Sequence, residues 1–511
     1  MSRNGYACEQ GKWPKAQDIY NELHELTSKP IYCVSDAAYK DIVENYFDKQ
    51  CAKSKAITTE AKQYIPGGVQ HNLAFNKPFP MCMVKAEGAY LYDADGNKYF
   101  DFLQAGGPTI LGSNFPDVQE QAIELIKSCG PVTGLFHEAE LLLAKEINKH
   151  MPACEMFRML GSGTESVMAA IRVSRCATRN KRVIKVGGAY HGWSDQMVYG
   201  LKIPGSRNLL ESHGIPKGCY GSTDEVRPND LKMLEGMLRR NKLRGGTACV
   251  IVEPVGPESG TRPIDFDYNQ KALELAHKYG ALFIFDEVVT GFRMGLGGAQ
   301  GFFNVKPDLT IFGKIIAGGY PAAGGVGGKR EYISLMAAGV AGLGKKAYVG
   351  GTLAANPLSA YAGYCCIKAI EKYNACEKAG IAGDRLAAGL KALVKKHNLP
   401  YVVYNQGSIV HLECTGAMSF DYSSFSFLKS ALGLLKNKPE MEARAEAMKD
   451  MGAAYMANGI VTLAGSRLYT SMADTDEVID AALERFDKVF ALVKAQGTPE
   501  LQRSFEKPKK K

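Results

Sequence analysis

An acidic residue and a lysine, each placed at or shortly after the end of an apolar run, are the two residues of this sequence best suited to act together. Asp286 follows Ala281-Leu-Phe-Ile-Phe285, and Lys314 lies two residues after Leu309-Thr-Ile-Phe312. Open α/β sheets bind ligands at the carboxyl ends of their strands. Pyridoxal phosphate (PLP) chemistry uses such a pair, because an acid keeps the pyridine nitrogen protonated and a lysine forms the Schiff base.

Each of the two residues also has an ordinary explanation. A buried aspartate at the end of a strand would cap the next loop, and lysine is most often a surface residue. The prediction of PLP therefore depends on further segments that suit the same cofactor.

Two glycine-containing segments are suited to bind the cofactor's phosphate. In Gly161-Ser-Gly-Thr-Glu165 a turn leads into a predicted helix, with Ser162 and Glu165 spaced as a capping box. The N–H groups of Ser162, Gly163 and Thr164 at this helix start would bind a phosphate, although an ordinary helix cap has the same sequence. Thr352, in Gly350-Gly-Thr-Leu-Ala-Ala-Asn-Pro357, offers a hydroxyl to a second phosphate edge or lies in a plain turn.

An aromatic residue and a histidine follow the apolar run Arg182–Val186. Tyr190, in Gly187-Gly-Ala-Tyr-His-Gly-Trp193, would stack on a flat cofactor ring or pack in the core. His191 is expected to satisfy a local hydrogen bond, and we count it with the cofactor-binding residues.

The pattern of apolar runs predicts an α/β protein with a second, smaller α+β domain. Between about residues 105 and 384, short apolar runs alternate with helical segments, which is typical of a mainly parallel sheet covered on both faces. Residues 56–104 and 385–495 are assigned to the small domain, with a hairpin around Asp95-Gly96 and a final helix from about 475 to 495. Residues 1–55 are predicted to be a helical extension, and residues 496–511 a basic tail.

Composition excludes several other classes. The net charge of +9 comes partly from the tail Lys507-Pro-Lys-Lys-Lys511, and no nucleic-acid motif accompanies it. Thirteen cysteines without a Cys-x-x-Cys pair indicate free thiols in a reducing cytoplasm and no metal site. The sequence shows neither a signal peptide nor an apolar run of membrane-spanning length.

Six segments, taken together and in this order, resemble the class-III PLP-dependent aminotransferases, and most of all the glutamate-1-semialdehyde aminomutase-like members. The resemblance runs from about Glu60 to Leu492. The segments are Gly161–Glu165, Ala189–Gly192, Val252–Pro254, Phe285–Arg293, Gly313–Gly319 and Gly350–Pro357.

The resemblance implies fold type I, PLP as cofactor, and a homodimer with shared active sites. Lys314 matches the Schiff-base lysine and Asp286 the partner of the pyridine nitrogen. Val288 would pack beneath the ring and Tyr190 above it. Thr352 is expected to reach the phosphate of the other subunit's cofactor.

Departures from the aminomutase pattern concern the substrate. Ala74 stands where the aminomutase has an arginine that binds the substrate carboxylate, and Gly106 replaces its tryptophan. Arg467 lies where many class-III aminotransferases bind the donor's carboxylate, and some pair that arginine with a glutamate at the position of Glu258. We expect Glu258 and Arg467 to pair when the substrate lacks a carboxylate and to separate when an amino acid binds.

The predicted activity is ping-pong amino-group transfer between an amine or amino acid and a keto acid or aldehyde. One alternative is an isomerase on the same scaffold: glutamate-1-semialdehyde 2,1-aminomutase or another PLP-dependent isomerase or racemase. A second alternative is a cofactor-binding protein without catalysis. Conversion of a single amino substrate without a keto acid favours the isomerase, and a bound cofactor without turnover favours the binding protein.

Overall fold

The structure is a computed structural model that describes residues 3–200, 212–339, 346–417 and 427–496, with residues 427–438 described as helical backbone only. Residues 497–511, which include almost all of the predicted basic tail, lie outside the described residues.

The described strands are β1 (Ile31–Val34), β2 (Met83–Glu87), β3 (Tyr90–Asp93), β4 (Lys98–Asp101), β5 (Met156–Leu160), β6 (Arg182–Val186), β7 (Thr223–Val226), β8 (Thr247–Val252), β9 (Leu282–Asp286), β10 (Leu309–Gly313), β11 (Gly324–Gly328), β12 (Val402–Gln406), β13 (Ile409–Glu413), β14 (Ile460–Val461), β15 (Arg467–Tyr469) and β16 (Val493–Gln496).

The described α-helices are α1 (Ala16–Ser28), α2 (Asp36–Ile42), α3 (Asp48–Gln50), α4 (Ala52–Ala61), α5 (Pro116–Cys129), α6 (Glu138–His150), α7 (Gly163–Thr178), α8 (Lys217–Tyr220), α9 (Leu231–Asn241), α10 (Tyr268–Lys278), α11 (Gly298–Phe303), α12 (Arg330–Ile333), α13 (Pro357–Tyr373), α14 (Ala375–Lys396), α15 (Phe427–Ala457) and α16 (Asp476–Ala491). None of them is both long and apolar enough to cross a membrane.

The chain divides into two compact units. The large unit comprises the described parts of residues 1–16, 107–111 and 116–378, and the small unit those of residues 17–106, 112–115 and 379–511. Each unit has its own sheets and is described by itself.

A seven-stranded sheet forms the centre of the large unit, in the order β5-β11-β10-β9-β8-β6-β7. The neighbouring pairs from β10 to β7 are parallel, and β11 runs antiparallel to both β10 and β5. Strands β8 and β9 are buried along their whole length, which explains their continuous apolar sequence. The predicted α/β class with a mainly parallel sheet is therefore confirmed.

Strand β11 has the sequence Gly-Gly-Val-Gly-Gly, and the sequence analysis did not predict it. Its glycines are required by close packing on both neighbours. A Cβ on Gly324 would lie 2.4 Å from the backbone oxygen of Ser162, and one on Gly325 would lie 2.3 Å from the ring of Phe157. The missing side chains bring β11 against the start of α7.

The small unit contains three sheets, ordered β1-β16, β12-β13-β15 and β14-β4-β3-β2. Strands β3 and β4 form the hairpin predicted around Asp95-Gly96. The prediction of a helix as far as residue 495 was wrong, because α16 ends at Ala491 and residues 493–496 pair with β1 instead. Residues 1–55 contain the predicted helical segments and also β1, so this stretch is not purely helical.

Candidate active site

Asp286 ends strand β9 and is buried, with 5% of its surface exposed. Its Oδ2 lies 2.6 Å from Nδ1 of His191, and its Oδ1 accepts the N–H of Val288 at 3.2 Å. Nε2 of His191 is buried and has no hydrogen-bond partner among the described residues. A hydrogen bond from Nδ1–H would fix the histidine tautomer and orient the carboxylate.

Lys314 directly follows β10, the parallel neighbour of β9. Asp286 pairs with Ile311 across the two strands, so Lys314 begins three residues beyond that pair at the same edge of the sheet. Lys314 has a left-handed backbone with φ of 51° and opens a short 3₁₀ helix that ends at Ala317. Adjacent parallel strands thus bring the predicted acid and the predicted amine to one edge.

The start of α7 presents backbone donors, as the sequence predicted. The hydroxyl of Ser162 accepts the N–H of Glu165 at 3.2 Å. The second half of the predicted capping box is wrong, because the Glu165 carboxylate accepts the N–H of Gly161 rather than that of Ser162. In the described part of the chain, no acceptor contacts the N–H groups of Gly163 and Thr164. Such free groups at a helix N-terminus suit an anion.

Val288 lies between the helix start and the lysine turn. A Cβ on Gly163 would be 3.1 Å from one methyl group of Val288, and a Cβ on Gly313 would be 2.9 Å from the other. Both of these neighbouring residues are glycines: Gly163 is the first residue of α7, and Gly313 is the last residue of β10. Val288 therefore forms an apolar surface beside Asp286, where a flat ring would fit.

The loop after β6 carries Tyr190 and His191 to the same edge. A Cβ on Gly192 would lie 2.4 Å from Oγ1 of Thr164, so this loop packs directly on the start of α7. Tyr190 is 47% exposed, which does not fit the alternative of plain core packing. Burial, with the nearby Glu258 and Asp286 carboxylates, raises the pKa of Tyr190.

Glu253 is a buried residue of this edge that the sequence analysis named only as part of a motif. It follows β8, and its Oε1 accepts the N–H groups of Tyr190 and Glu258, both at 2.8 Å. Burial first, and then the carboxylates of Glu258 and Asp286, raise the pKa of Glu253 to about 8. The signal that would have identified Glu253 is its position directly after an apolar strand and five residues before Glu258.

The remaining predicted site residues lie in different parts of the chain. Thr352 is exposed and lies just before α13 in the large unit. Glu258 is half-buried in the large unit, whereas Arg467 and Gly106 belong to the small unit. The pairing of Glu258 with Arg467 stays a prediction.

Arg467 begins β15 and is buried, with only 7% of its surface exposed. It stands opposite His411 on β13, and its guanidinium carbon lies 5.8 Å from the ring centre of Tyr469. The same guanidinium and burial lower the pKa of His411 well below its usual value, burial being the larger cause. His411 is therefore neutral beside the arginine.

Outside this edge lies a cluster of residue types that can bind a metal ion: Glu146, His150 and Glu371. Their possible ligand atoms lie within 4.8 Å of one another. Lys149 contacts Glu371 at 2.7 Å, and Lys368 does so at 3.3 Å. Two lysines balance the two carboxylates, so we interpret the cluster as an ion-pair network between α6 and α13.

The residues present fit PLP. The carboxylates of Glu258 and Asp286 both help to raise the pKa of Glu253, and a cationic ring nitrogen would offset the negative charge at this edge. Two free N–H groups at the start of α7 offer the contacts that a phosphate needs. Lys314 provides the amine, and Val288 and Tyr190 offer surfaces for a planar ring.

Comparisons with known proteins agree with this fold. The family described as Aminotransferase class-III matches residues 74–490. A glutamate-1-semialdehyde 2,1-aminomutase of Acetivibrio thermocellus is 36% identical over 448 residues, which cover 86% of this chain and 98% of that protein. An omega-transaminase from Sphaerobacter thermophilus has a similar structure, with a TM-score of 0.74, 26% identity and coverage of 88% of this chain and 99% of that one. A glutamate-1-semialdehyde aminomutase structure from Pseudomonas aeruginosa PAO1 shares the fold, with a TM-score of 0.75, 20% identity and coverage of 92% and 98%.

The fold and the site define a PLP-dependent enzyme of fold type I. The chain belongs to the class-III aminotransferase family. Its cofactor is therefore PLP, which is also the cofactor bound in a similar transaminase structure. The non-catalytic alternative is removed by this membership.

Proposed function

We propose that this protein is an aminotransferase that moves an amino group between an amine or amino acid and a keto acid or aldehyde. The observation that carries the proposal is the meeting of Asp286 and Lys314 at the carboxyl ends of neighbouring parallel strands, beside the free N–H groups of α7. When bound, PLP supplies an aldehyde that condenses with amines and a ring that takes up electrons released at the substrate carbon.

The roles of the residues follow from their positions. Asp286, oriented by His191, holds the proton of the ring nitrogen, and Val288 and Tyr190 hold the ring's two faces. Ser162, Gly163 and Thr164 bind the phosphate, with Thr352 contributing to the cofactor of a second subunit. The amine of Lys314 binds the cofactor and then moves the proton at the substrate carbon as general base and general acid.

Reductive labelling tests the role of Lys314. Borohydride treatment of the purified protein should add the cofactor's mass to the peptide that contains Lys314. Lys314→Ala should lose this label and fall at least 1000-fold in turnover, since one group binds the cofactor and moves the proton. A label on another lysine would contradict the proposal.

We further propose that Arg467 binds the carboxylate of the amino donor and that Glu258 pairs with it when the substrate has none. The buried position of Arg467 supports this, since a buried guanidinium is matched to a carboxylate through two parallel hydrogen bonds. Arg467→Ala should raise KM for amino-acid donors about 10- to 100-fold, with a smaller effect on neutral amines. Arg467→Lys is the matched control, because it keeps the charge without the bidentate geometry.

The alternative activity is that of an aminomutase, favoured by the 36% identity to a glutamate-1-semialdehyde 2,1-aminomutase. Against it stand Ala74 and Gly106, where the resemblance places that enzyme's arginine and tryptophan. A panel of donors and acceptors with purified protein separates the two activities. Conversion of one amino substrate in the absence of any keto acid identifies an isomerase, and strict dependence on a keto acid or aldehyde identifies a transaminase.

We also propose that the protein is a cytoplasmic homodimer with shared active sites. All thirteen cysteines are free, as expected in a reducing compartment. Leu135 and Phe136 are 75% and 74% exposed in the large unit, and neighbouring residues of α5 and α6 also expose apolar side chains. Exposed apolar groups of this size mark interaction surfaces.

Changing these two residues tests the dimer. Leu135→Ser with Phe136→Ser should shift the mass measured by sedimentation toward that of one chain, because two large apolar side chains leave the interface. Leu243→Ser, at a site 93% exposed on the same unit, is the control for a general effect of removing surface leucine. A single-chain mass for the unchanged protein would overturn the proposal.

A further inference from the structure

The carboxylate of Glu253 connects two loops of the candidate active site. Its Oε1 accepts the N–H groups of Tyr190 and Glu258 at 2.8 Å. Its Oε2 accepts the N–H of Ser259, and also the Ser259 hydroxyl at 3.0 Å. Glu253 is only 6% exposed, so water does not compete for these contacts.

The loop of Glu258 and Ser259 needs such support. Both residues have a left-handed backbone with φ of 46°, an arrangement that costs free energy for residues other than glycine. The two N–H groups of this strained pair are the ones that Glu253 accepts. The same carboxylate also accepts the N–H of Tyr190, and the next residue, His191, contacts Asp286 at 2.6 Å.

We propose that Glu253 is a positioning residue that sets the backbone of Tyr190 and of Glu258 together. The position of Tyr190, proposed to face the cofactor ring, and the position of Glu258, proposed to pair with Arg467, then both depend on one buried side chain. The loop contacts stand independently, while the role of Glu258 in choosing donors rests on the proposed function.

These contacts do not require one charge state of Glu253. The groups that face it are Glu258, Asp286, Ser259 and the Tyr190–His191 loop. When Glu253 is a carboxylate, the Ser259 hydroxyl donates a hydrogen bond to it. When Glu253 is protonated, the Ser259 hydroxyl accepts a hydrogen bond from it. Oε1 accepts the N–H groups of Tyr190 and Glu258 in both cases.

Amide hydrogen exchange of the full-length holoenzyme, followed by mass spectrometry, tests the coupling without measuring activity. In Glu253→Ala, we expect about tenfold faster exchange both in a peptide spanning residues 188–193 and in one spanning residues 255–262, since both lose a buried acceptor. Faster exchange only in residues 255–262 would overturn the proposal, because Tyr190 would then not depend on Glu253.

Two further variants make the exchange result specific. Ser259→Ala removes only the hydroxyl contact and should affect residues 255–262 alone. Glu287→Gln changes another buried glutamate, which accepts from Ala299 and Gln300, and should leave both test peptides unchanged. If Glu253→Ala does not fold, Glu253→Gln replaces it: its amide has one acceptor oxygen, so at least one of the two peptides must exchange faster, and no change in either overturns the proposal.

Donor selectivity separates positioning from simple stabilisation. Glu253→Ala should lower kcat/KM about tenfold more for a neutral amine than for an amino acid, because a displaced Glu258 no longer holds Arg467 when the carboxylate is absent. Equal losses for both donors would reject a role in positioning Glu258. If Arg467→Ala leaves KM for amino-acid donors unchanged while Glu253→Ala still speeds exchange in both peptides, the proposed donor site fails and the coupling of the loops stands.

Discussion

The histidine beside Asp286 has a role that a single substitution can isolate. Because His191 contacts the carboxylate at 2.6 Å, its loss leaves a buried charge with a weaker set of contacts. We expect His191→Ala to weaken PLP binding to the cofactor-free protein about 10- to 100-fold, the range for a hydrogen bond to a charged group. His191→Asn keeps a donor near Nδ1 and should lose less. Equal PLP affinity in the alanine variant, measured by fluorescence titration, would contradict this role.

The raised pKa of Glu253 predicts how stability depends on pH. The pKa in the folded protein is about 8, well above the ordinary 4.5, so folding favours the protonated form. The stability that the protonated form gives to the folded protein is fully present below pH 4.5 and is lost as the pH rises through about 8. Glu253→Gln cannot ionise, so the unfolding temperature of the cofactor-free protein should fall less between pH 6 and pH 9 than in the unchanged protein. Parallel falls would mean that Glu253 does not titrate in this range.

Among the elements, α13 packs closely on the turn that begins with Lys314. A Cβ on Gly363 of α13 would lie 1.9 Å from the backbone oxygen of Ile316. We expect Gly363→Ala to destabilise the protein by about 1–3 kcal/mol and to weaken cofactor binding, because the helix must move away from the lysine turn.

Gly236 offers the matched control. It lies inside α9, and a Cβ there would meet no atom within 4 Å. The same change, Gly236→Ala, should stabilise the protein by about 0.5–1 kcal/mol, since alanine favours a helix more than glycine does. Denaturant unfolding of both variants checks whether their free energies of unfolding change in opposite directions. A similar loss of stability in the two would show that close packing of α13 does not cause the effect of Gly363→Ala.

Sequence patterns predicted the strands that bury continuous apolar runs, and missed those that depend on their neighbours. Strands β6, β9 and β10 were found within a residue or so, because both of their faces are covered. The glycines of β11 carry no strand signal, since their need arises from atoms of β5 and α7 that are distant in sequence. Local pattern alone does not contain that information.

The same division applies to the candidate site. Asp286 and Lys314 were predicted because strand ends are visible in the sequence, and the structure brings their strands side by side. The contacts of Glu253 with two separate loops were not predicted, since they depend on backbone N–H groups 63 and 5 residues away. Residue type does not reveal which backbone group a buried carboxylate will meet.

Across the whole molecule, the segments outside the family match pair with each other. The match ends at residue 490, and β16 follows it, while β1 precedes the match that begins at residue 74. Together they form an antiparallel ribbon in the small unit, in which Ile31 faces Gln496. The ribbon is therefore built from two segments that both lie outside the family match.

Shortening the chain tests what the ribbon contributes. A chain that ends at Leu492 lacks β16, removes the strand partner of β1, and should unfold at a temperature several degrees lower. A chain that ends at Gln496 keeps the ribbon and is the control for losing residues 497–511. If both shortened proteins unfold at the same temperature, β16 adds no stability.

This pairing also bears on synthesis by the ribosome. Translation completes β1 459 residues before it reaches the first residue of β16 (493 − 34). Throughout that interval the nascent chain carries an early strand whose native partner has not yet been made, and unpaired strands invite association with other chains. The ribbon cannot form until translation has passed residue 496, so β1 depends on its other contacts until then.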